Sequence, residues 1–153
     1  EGVLLPSGSP DFSPTEAPRS PRLVGVDTVP AAPLGTRWGD ARVVEGAEIA
    51  DVLGPVWHTL NLDCIVPSTL VELGYGNEYT YELLTKKGTR ILWGRAPSAP
   101  LPGEATAPEK IAQLVEYHKA NGTLEGRDGP QQLDVRNLAP SQNAPRTAAR
   151  AHR

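Results

Sequence analysis

The segment from Glu78 to Arg95 constrains the fold more than any other part of the chain. Two runs rich in Tyr, Thr, Ile, Leu and Trp flank Lys86-Lys87-Gly88, a three-residue loop that ends in glycine. Such a loop is typical of a β-hairpin, because glycine tolerates the left-handed position that follows a type I turn. The segment therefore predicts two antiparallel strands joined near Gly88.

The turn also predicts which side chains meet across the hairpin. It places Leu83 opposite Ile91. It places Tyr81 opposite Trp93 on the same face. The other face is mixed in polarity, so we expect the aromatic face to lie under helices and the other face to be partly exposed to solvent.

A further strand is predicted just before the hairpin. Apolar and β-branched residues recur at every second position in residues 68–74, which is the period of a strand. A turn at residues 75–77 would place Val71 opposite Tyr81, in phase with the aromatic face. The sequence thus predicts a three-stranded antiparallel meander over residues 68–94.

Two segments have the spacing of amphipathic helices. The first, from Glu45, carries an apolar stripe made of Ile49, Val52, Leu53, Val56, Trp57 and Leu60. Pro55 lies inside this stripe and removes a backbone hydrogen bond, so we expect a kink or two short helices meeting at Gly54-Pro55. The second, Thr106 to about Ala120, opens with a capping box, and Asn121-Gly122 supplies its C-terminal cap.

Composition divides the chain into three parts. Residues 1–40 are rich in Pro and Ser and predict an irregular segment that packs on the domain; residues 41–138 hold most of the periodic apolar positions. Residues 139–153 are basic and lack such a period, which predicts a disordered tail. The predicted fold class is α+β: an antiparallel meander with a final strand at residues 132–138, packed by two helices on one face.

Several classes of function lack a signal in the sequence. The net charge of −3, with both signs interspersed, gives no footprint for nucleic acid. The one cysteine, Cys64, lies in an apolar run and predicts a small buried side chain, not a reactive thiol. We find no phosphate loop, nucleophile elbow or metal-ligand cluster. We therefore expect a non-enzymatic protein without catalytic, cofactor or metal residues.

Membrane attachment is expected only through a segment upstream of this chain. No apolar run approaches the ~20 residues that a membrane span needs. The chain also contains no methionine. We therefore expect it to be a fragment, a processed form or the product of an incomplete open reading frame, so that any anchor would precede Glu1.

Three short segments, taken in order, resemble the C-terminal half of the FtsQ/DivIB bacterial cell-division proteins. They are a hairpin ending in Ile91-Leu92-Trp93-Gly94-Arg95, a helix opening with Glu109-Lys110-Ile111, and a final strand with Leu133-Asp134-Val135-Arg136. The resemblance covers about residues 64–138. It implies a non-enzymatic scaffold on the extracytoplasmic side of the inner membrane, which binds FtsB- and FtsL-like division proteins at the septum.

The chain departs from the family in two ways. It lacks the cytoplasmic tail, the membrane span and the polypeptide-transport-associated domain that should precede the β domain. The family continues with further β structure after the final strand, whereas here Leu138-Ala139-Pro140 interrupts the pattern. Two other functions remain open: a wall- or membrane-associated extracytoplasmic binding module, and a non-catalytic fragment of a larger enzyme.

The last strand is the predicted partner-binding site, because unpaired backbone groups at a sheet edge can template an incoming strand. The predicted partner-binding residues are Gln132, Leu133, Asp134, Val135, Arg136 and Leu138. The open alternative is an interior strand, with Asp134 and Arg136 merely solvated on its far face.

Overall fold

The computed structural model describes residues 21–27, 33, 35–36, 39–69 and 78–137. Its elements are strand β1 (Arg22–Leu23), helix α1 (Ala41–Leu53), a 3-10 turn (Gly54–Val56), strands β2 (Leu62–Thr69), β3 (Tyr79–Thr85) and β4 (Arg90–Gly94), helix α2 (Ala107–Asn121) and strand β5 (Gln132–Asp134). The predicted α+β class is confirmed. The predicted tail, residues 139–153, lies outside the described residues, as does most of the predicted irregular segment.

The five strands within the described residues form one mixed sheet in the order β1-β2-β3-β4-β5. Strands β2, β3 and β4 are antiparallel, as predicted for a meander. Strands β1 and β5 each run parallel to their neighbour. Strand β1 belongs to the segment predicted as irregular, and β5 follows β4 through a crossover that contains α2, the connection that parallel strands require.

The hairpin register differs from the prediction at one end. Leu83 pairs with Ile91 as predicted, but Tyr81 pairs with Gly94 and not with Trp93, because the register shifts between Tyr81 and Glu82. The extra residue is a β-bulge. Gly94 has a φ of 97°, which glycine adopts without strain. Tyr81 and Trp93 are nevertheless both fully buried, as the hydrophobic pattern predicted.

Strand β2 lies earlier than the predicted strand 68–74. Tyr81 pairs with Pro67, so the predicted pairing with Val71 is wrong. The apolar run that starts at Leu62 forms the strand, and Leu62 and Ile65 are buried in the core. A short apolar run is ambiguous between buried strand and helix in a sequence. Residues 70–77 lie outside the described residues.

Helix α1 begins at Ala41, before the predicted Glu45, because Asp40 caps it. The Asp40 carboxylate accepts a hydrogen bond from the backbone N–H of Arg42 at 2.8 Å, one of the donors that an uncapped helix leaves unpaired. The helix ends at Leu53 and a 3-10 turn containing Pro55 follows. The predicted break at Gly54-Pro55 is therefore confirmed.

Helix α2 is bounded by the predicted caps. The backbone N–H of Thr106 donates to the Glu109 carboxylate at 2.7 Å, and the N–H of Glu109 donates to the Thr106 hydroxyl at 3.4 Å. The hydrogen bond from Thr106 lowers the pKa of Glu109. Gly122 closes the helix in the left-handed conformation, with a φ of 76°, which is a common helix ending.

Both helices pack on the aromatic face of the sheet. The buried apolar cluster includes Ile49 and Leu53 of α1 and Leu114 of α2, together with sheet residues Ile65, Tyr81, Leu83, Ile91, Trp93, Leu133 and Val135. On the opposite face, Leu84 and Leu92 are only half-buried and Arg90 is exposed beside Glu82, 2.6 Å away. Cys64 is buried as predicted, and this burial raises the pKa of its thiol.

Candidate functional site

Strand β5 lies at one end of the described sheet. The N–H of Arg90 donates to the Gln131 carbonyl at 2.9 Å, and the N–H of Val135 donates to the Leu92 carbonyl at 3.2 Å. Backbone groups alternate in direction along a strand, so those of Leu133 face β4 while those of Gln132 point away from the sheet. Of the two alternatives left open by the sequence, the described residues have the edge arrangement.

The predicted site residues divide between the core and the surface. Leu133 and Val135 are buried, with 2% and 1% exposure, so their side chains belong to the core. Gln132 and Arg136 are exposed. Leu138 lies outside the described residues. An incoming chain can therefore meet the side chains on the face opposite the core, which occupy alternate positions along the strand.

Asp134 and Arg136 form a closed ion pair beside this edge. The Arg136 guanidinium donates to both Asp134 carboxylate oxygens, at 2.9 and 2.7 Å, and the Arg136 backbone N–H donates to one of them at 3.0 Å. The hydrogen bond from the Arg136 side chain lowers the pKa of Asp134. Since Arg136 is exposed, water screens the pair, and we expect it to orient the two side chains more than it stabilises the fold.

The chain just after β5 is held from two sides. The carbonyl of Arg136 accepts a hydrogen bond from the backbone N–H of Ala105 at 2.8 Å. The Gln113 side chain of α2 donates to the carbonyls of Val135 and Asn137, at 3.3 and 3.2 Å. The outward edge is thereby confined to Gln132–Asp134, about 10 Å of strand at the usual rise.

A buried carboxylate, Glu104, connects the elements around this strand. It accepts hydrogen bonds from the backbone N–H groups of Arg95 and Leu101, at 2.9 and 3.0 Å, and pairs with the ammonium group of Lys110. The Glu104 and Lys110 side chains are 5% and 3% exposed. The Lys110 nitrogen also lies 4.8 Å from the centroid of the Trp93 ring, a cation–π distance.

Arg95 extends this network towards β3. We call Glu104, Lys110 and Arg95 together the Glu104 cluster. The Arg95 guanidinium donates to the carbonyls of Ala99 and Tyr79, both at 2.9 Å, and lies 3.7 Å from the Glu78 carboxylate. Its side chain is 7% exposed. Arg95 therefore fixes the loop after β4 by hydrogen bonds, because a buried guanidinium needs acceptors for its donors.

The three segments that carry the family resemblance meet at the Glu104 cluster. Gly94-Arg95 ends the hairpin there, Lys110 comes from the start of α2, and Arg136 follows β5. A Cβ atom on Gly94 would lie 3.2 Å from Cγ of Arg136 and would collide with Glu104. Glu104 thus joins the end of β4 to the start of α2, and the neighbouring residue Ala105 binds the chain just after β5.

Sequence reasoning missed this cluster. The spacing of α2 predicts an apolar stripe of Ile111, Leu114, Val115 and His118, and it gives no position to Lys110. Burial lowers the pKa of Lys110, although the hydrogen bond to Glu104 acts in the opposite direction. A lysine is rarely buried without a partner. A pairing between residues six apart, one of them in a loop, has no periodic signature in a sequence.

The contacts of the Glu104 cluster connect elements of the fold. In the Glu104 cluster, Glu104 is bonded to Lys110 and to backbone N–H groups, and the Arg95 guanidinium is bonded to backbone carbonyls. No group of three His, Cys, Asp or Glu side chains suited to a metal ion occurs in the described residues. Among the helices of the described residues, none has the length and apolar character needed to cross a membrane.

Comparison with protein-family models, with curated proteins and with solved structures gave no match.

Proposed function

We propose that this protein is a non-enzymatic scaffold of bacterial cell division, similar to FtsQ/DivIB proteins, that docks other division proteins along strand β5. The site of action is the extracytoplasmic side of the inner membrane at the septum. The partners are FtsB- and FtsL-like proteins. The observation that supports this proposal best is the terminal position of β5 in the sheet, since an edge strand can accept a partner strand.

The Glu104 cluster gives this edge a defined position. Strand addition requires that the outward N–H and C=O groups are already aligned, because ordering them on binding costs free energy. Glu104 fixes the end of β4 and the start of α2. The backbone N–H of Ala105 donates a hydrogen bond to the carbonyl of Arg136. The loop that carries Glu104 and Ala105 thus keeps the docking strand in place beside the segments that resemble the division proteins.

The short edge limits what backbone pairing alone can supply. Two or three hydrogen bonds contribute about 0.5–1.5 kcal/mol each, which is too little for a stable complex. Side-chain contacts must add to them. The exposed Arg136 and Gln132 flank the strand on the side opposite the helices, and we propose that they contact polar side chains of the partner.

Proline substitution separates docking from folding. Gln132→Pro removes a donor that points away from β4, so we expect the domain to stay folded. The same change blocks backbone pairing with an added strand, and capture of an FtsB-like partner by the purified chain should fall at least about tenfold, the equivalent of ~1.4 kcal/mol. Circular dichroism measures folding, and a pull-down or titration measures capture.

Two matched variants complete the test. Leu133→Pro removes a donor that faces β4 and should unfold or strongly destabilise the domain. Lys86→Ala, at the exposed tip of the hairpin, should change neither folding nor capture. If the Gln132→Pro protein folds and binds the partner as well as the parent does, docking along β5 is wrong.

A further inference from the structure

A second candidate site lies away from the β5 edge. A groove of about 850 Å³ is bounded by the end of α2 and by the segment that leads to β5. We call it the α2 groove; its walls include Tyr117, Asn121, Thr123, Arg127, Asp128 and Gln131. Its volume is within the range of small-molecule sites in proteins, about 300–1,000 Å³. It includes none of the residues of the Glu104 cluster.

Hydrogen bonds inside the wall hold several polar groups in fixed orientations. The Tyr117 hydroxyl accepts from the Gln131 amide at 2.7 Å, and this amide also donates to the Leu124 carbonyl at 2.8 Å. The Thr123 hydroxyl accepts from the backbone N–H of Glu125 at 3.2 Å. Since both hydroxyls act as acceptors here, each keeps its own proton for a ligand.

A tight turn presents two charged side chains at the rim. Gly126 and Gly129 exchange backbone hydrogen bonds of 2.7 and 3.2 Å, with Arg127 and Asp128 between them. Both side chains are exposed. Neither side chain makes a hydrogen bond or ion pair within residues 21–27, 33, 35–36, 39–69 and 78–137. A guanidinium and a carboxylate, on consecutive residues of the turn, are thus both exposed at the rim.

We propose that the α2 groove binds a saccharide. A sugar ring carries adjacent hydroxyl groups, each a donor and an acceptor, and an apolar face of C–H groups. Arg127 and Asp128 match adjacent hydroxyls because one side chain only donates and the other only accepts. The half-buried ring of Tyr117 offers an apolar surface with a polar tip, which suits a ligand that is apolar on one face.

The charges of the wall disfavour other classes of ligand. Glu125 and Asp128 outnumber Arg127, so a polyanion such as a nucleic acid meets net negative charge. Glu125 itself is occupied, because both its carboxylate oxygens accept hydrogen bonds, from the hydroxyls of Thr85 and Thr89. An apolar peptide would bury the amide, hydroxyl and charged groups of the wall without partners, which is costly.

NMR titration of the full chain tests this inference, which does not depend on the division scaffold. Two probes serve as ligands, a tetramer of β-1,4-linked N-acetylglucosamine and a tetramer of β-1,4-linked glucose. At least one should shift amide signals of residues 117–131, with a Kd of about 1 mM or below. Arg127→Ala and Asp128→Ala should each weaken binding about tenfold, since each removes charged hydrogen bonds to the ligand.

Further variants separate binding from folding. Tyr117→Phe keeps the ring and removes the hydroxyl, and it should weaken binding while the remaining amide signals keep their positions. Lys119→Ala alters an exposed lysine of α2 outside the groove and should leave the affinity unchanged. The inference is overturned if neither sugar shifts the groove signals, if Arg127→Ala and Asp128→Ala bind as the parent does, or if an oligonucleotide or peptide binds there instead.

Discussion

Replacing Glu104 by glutamine tests whether the buried ion pair holds the domain together. Glutamine keeps the shape and one acceptor oxygen, but it leaves the Lys110 ammonium group without a negative partner. Breaking a buried pair by removing one partner typically costs about 3–5 kcal/mol. Stabilities of single domains are about 5–15 kcal/mol. We therefore expect Glu104→Gln to lose a large part of the free energy of unfolding.

The cost has an upper limit that depends on pH. In the folded variant Lys110 can avoid a buried charge by releasing its proton. Releasing the Lys110 proton costs about 1.4 kcal/mol for each pH unit below the ordinary lysine pKa of 10.5. At neutral pH the loss of stability is therefore limited to roughly 5 kcal/mol. The unfolded variant binds more protons over this range, so the stability of Glu104→Gln should rise as the pH rises towards 10.5.

Chemical denaturation followed by circular dichroism measures both effects. Lys110→Met removes the cation and should restore stability to the glutamine variant, because the methionine fills similar volume beside Trp93. We expect a coupling free energy of about 2 kcal/mol or more between the two sites in a double-mutant cycle. A loss below about 1 kcal/mol for Glu104→Gln, or additive single effects, would show that the Glu104–Lys110 ion pair does not hold the domain together.

Three further predictions use other positions. Gly94→Ala should cost more than about 2 kcal/mol, because its Cβ would collide with Glu104 at a positive φ; Gly46→Ala, whose Cβ meets only the flexible end of Leu23 at 2.9 Å, should cost less than about 1 kcal/mol in the same denaturation assay. Trp93→Ala should cost about 3–5 kcal/mol, and a measured loss below about 1 kcal/mol would contradict its burial. Burial raises the pKa of Glu45 above 4.5. The stability that the protonated side chain contributes is therefore present at lower pH and is lost as the pH rises through the raised pKa. Thermal melts should show this pH dependence, and Glu45→Gln should abolish it.

The sequence predicted the elements whose cause is local. The capping box of α2, the break at Pro55 and the Leu83–Ile91 pairing each depend on residues close together in the chain, and all three are confirmed. The wrong bounds of β2 arise because the alternation from Thr69 to Leu73 competed with the apolar run that starts at Leu62, which does not alternate strictly. Propensity cannot rank two such segments, since burial in the sheet decides between them.

The candidate site was only partly accessible to sequence reasoning. Alternation predicted a last strand over residues 132–138; β5 begins at Gln132 as predicted but ends at Asp134, and both Leu133 and Val135 are buried. The bulge at the end of the hairpin did not follow from the sequence, because the spacing around the turn predicted an unbroken pairing of Tyr81 with Trp93. The pairing of Glu104 with Lys110 is set by the loop between β4 and α2, whose conformation depends on tertiary contacts and not on a repeating pattern.

The parallel pairing of the edge strand β5 also predicts the order in which parts of the molecule open. Within the hairpin, Leu83 pairs with the nearby Ile91, whereas Arg90 pairs with the distant Gln132. Closing the longer loop costs more entropy, so we expect β5 to join late in folding. Its few backbone bonds should then open first, with faster amide hydrogen exchange than in the central strands. A partner bound along β5 would slow that exchange, and the docking surface would thus be the part of the domain that binding stabilises most.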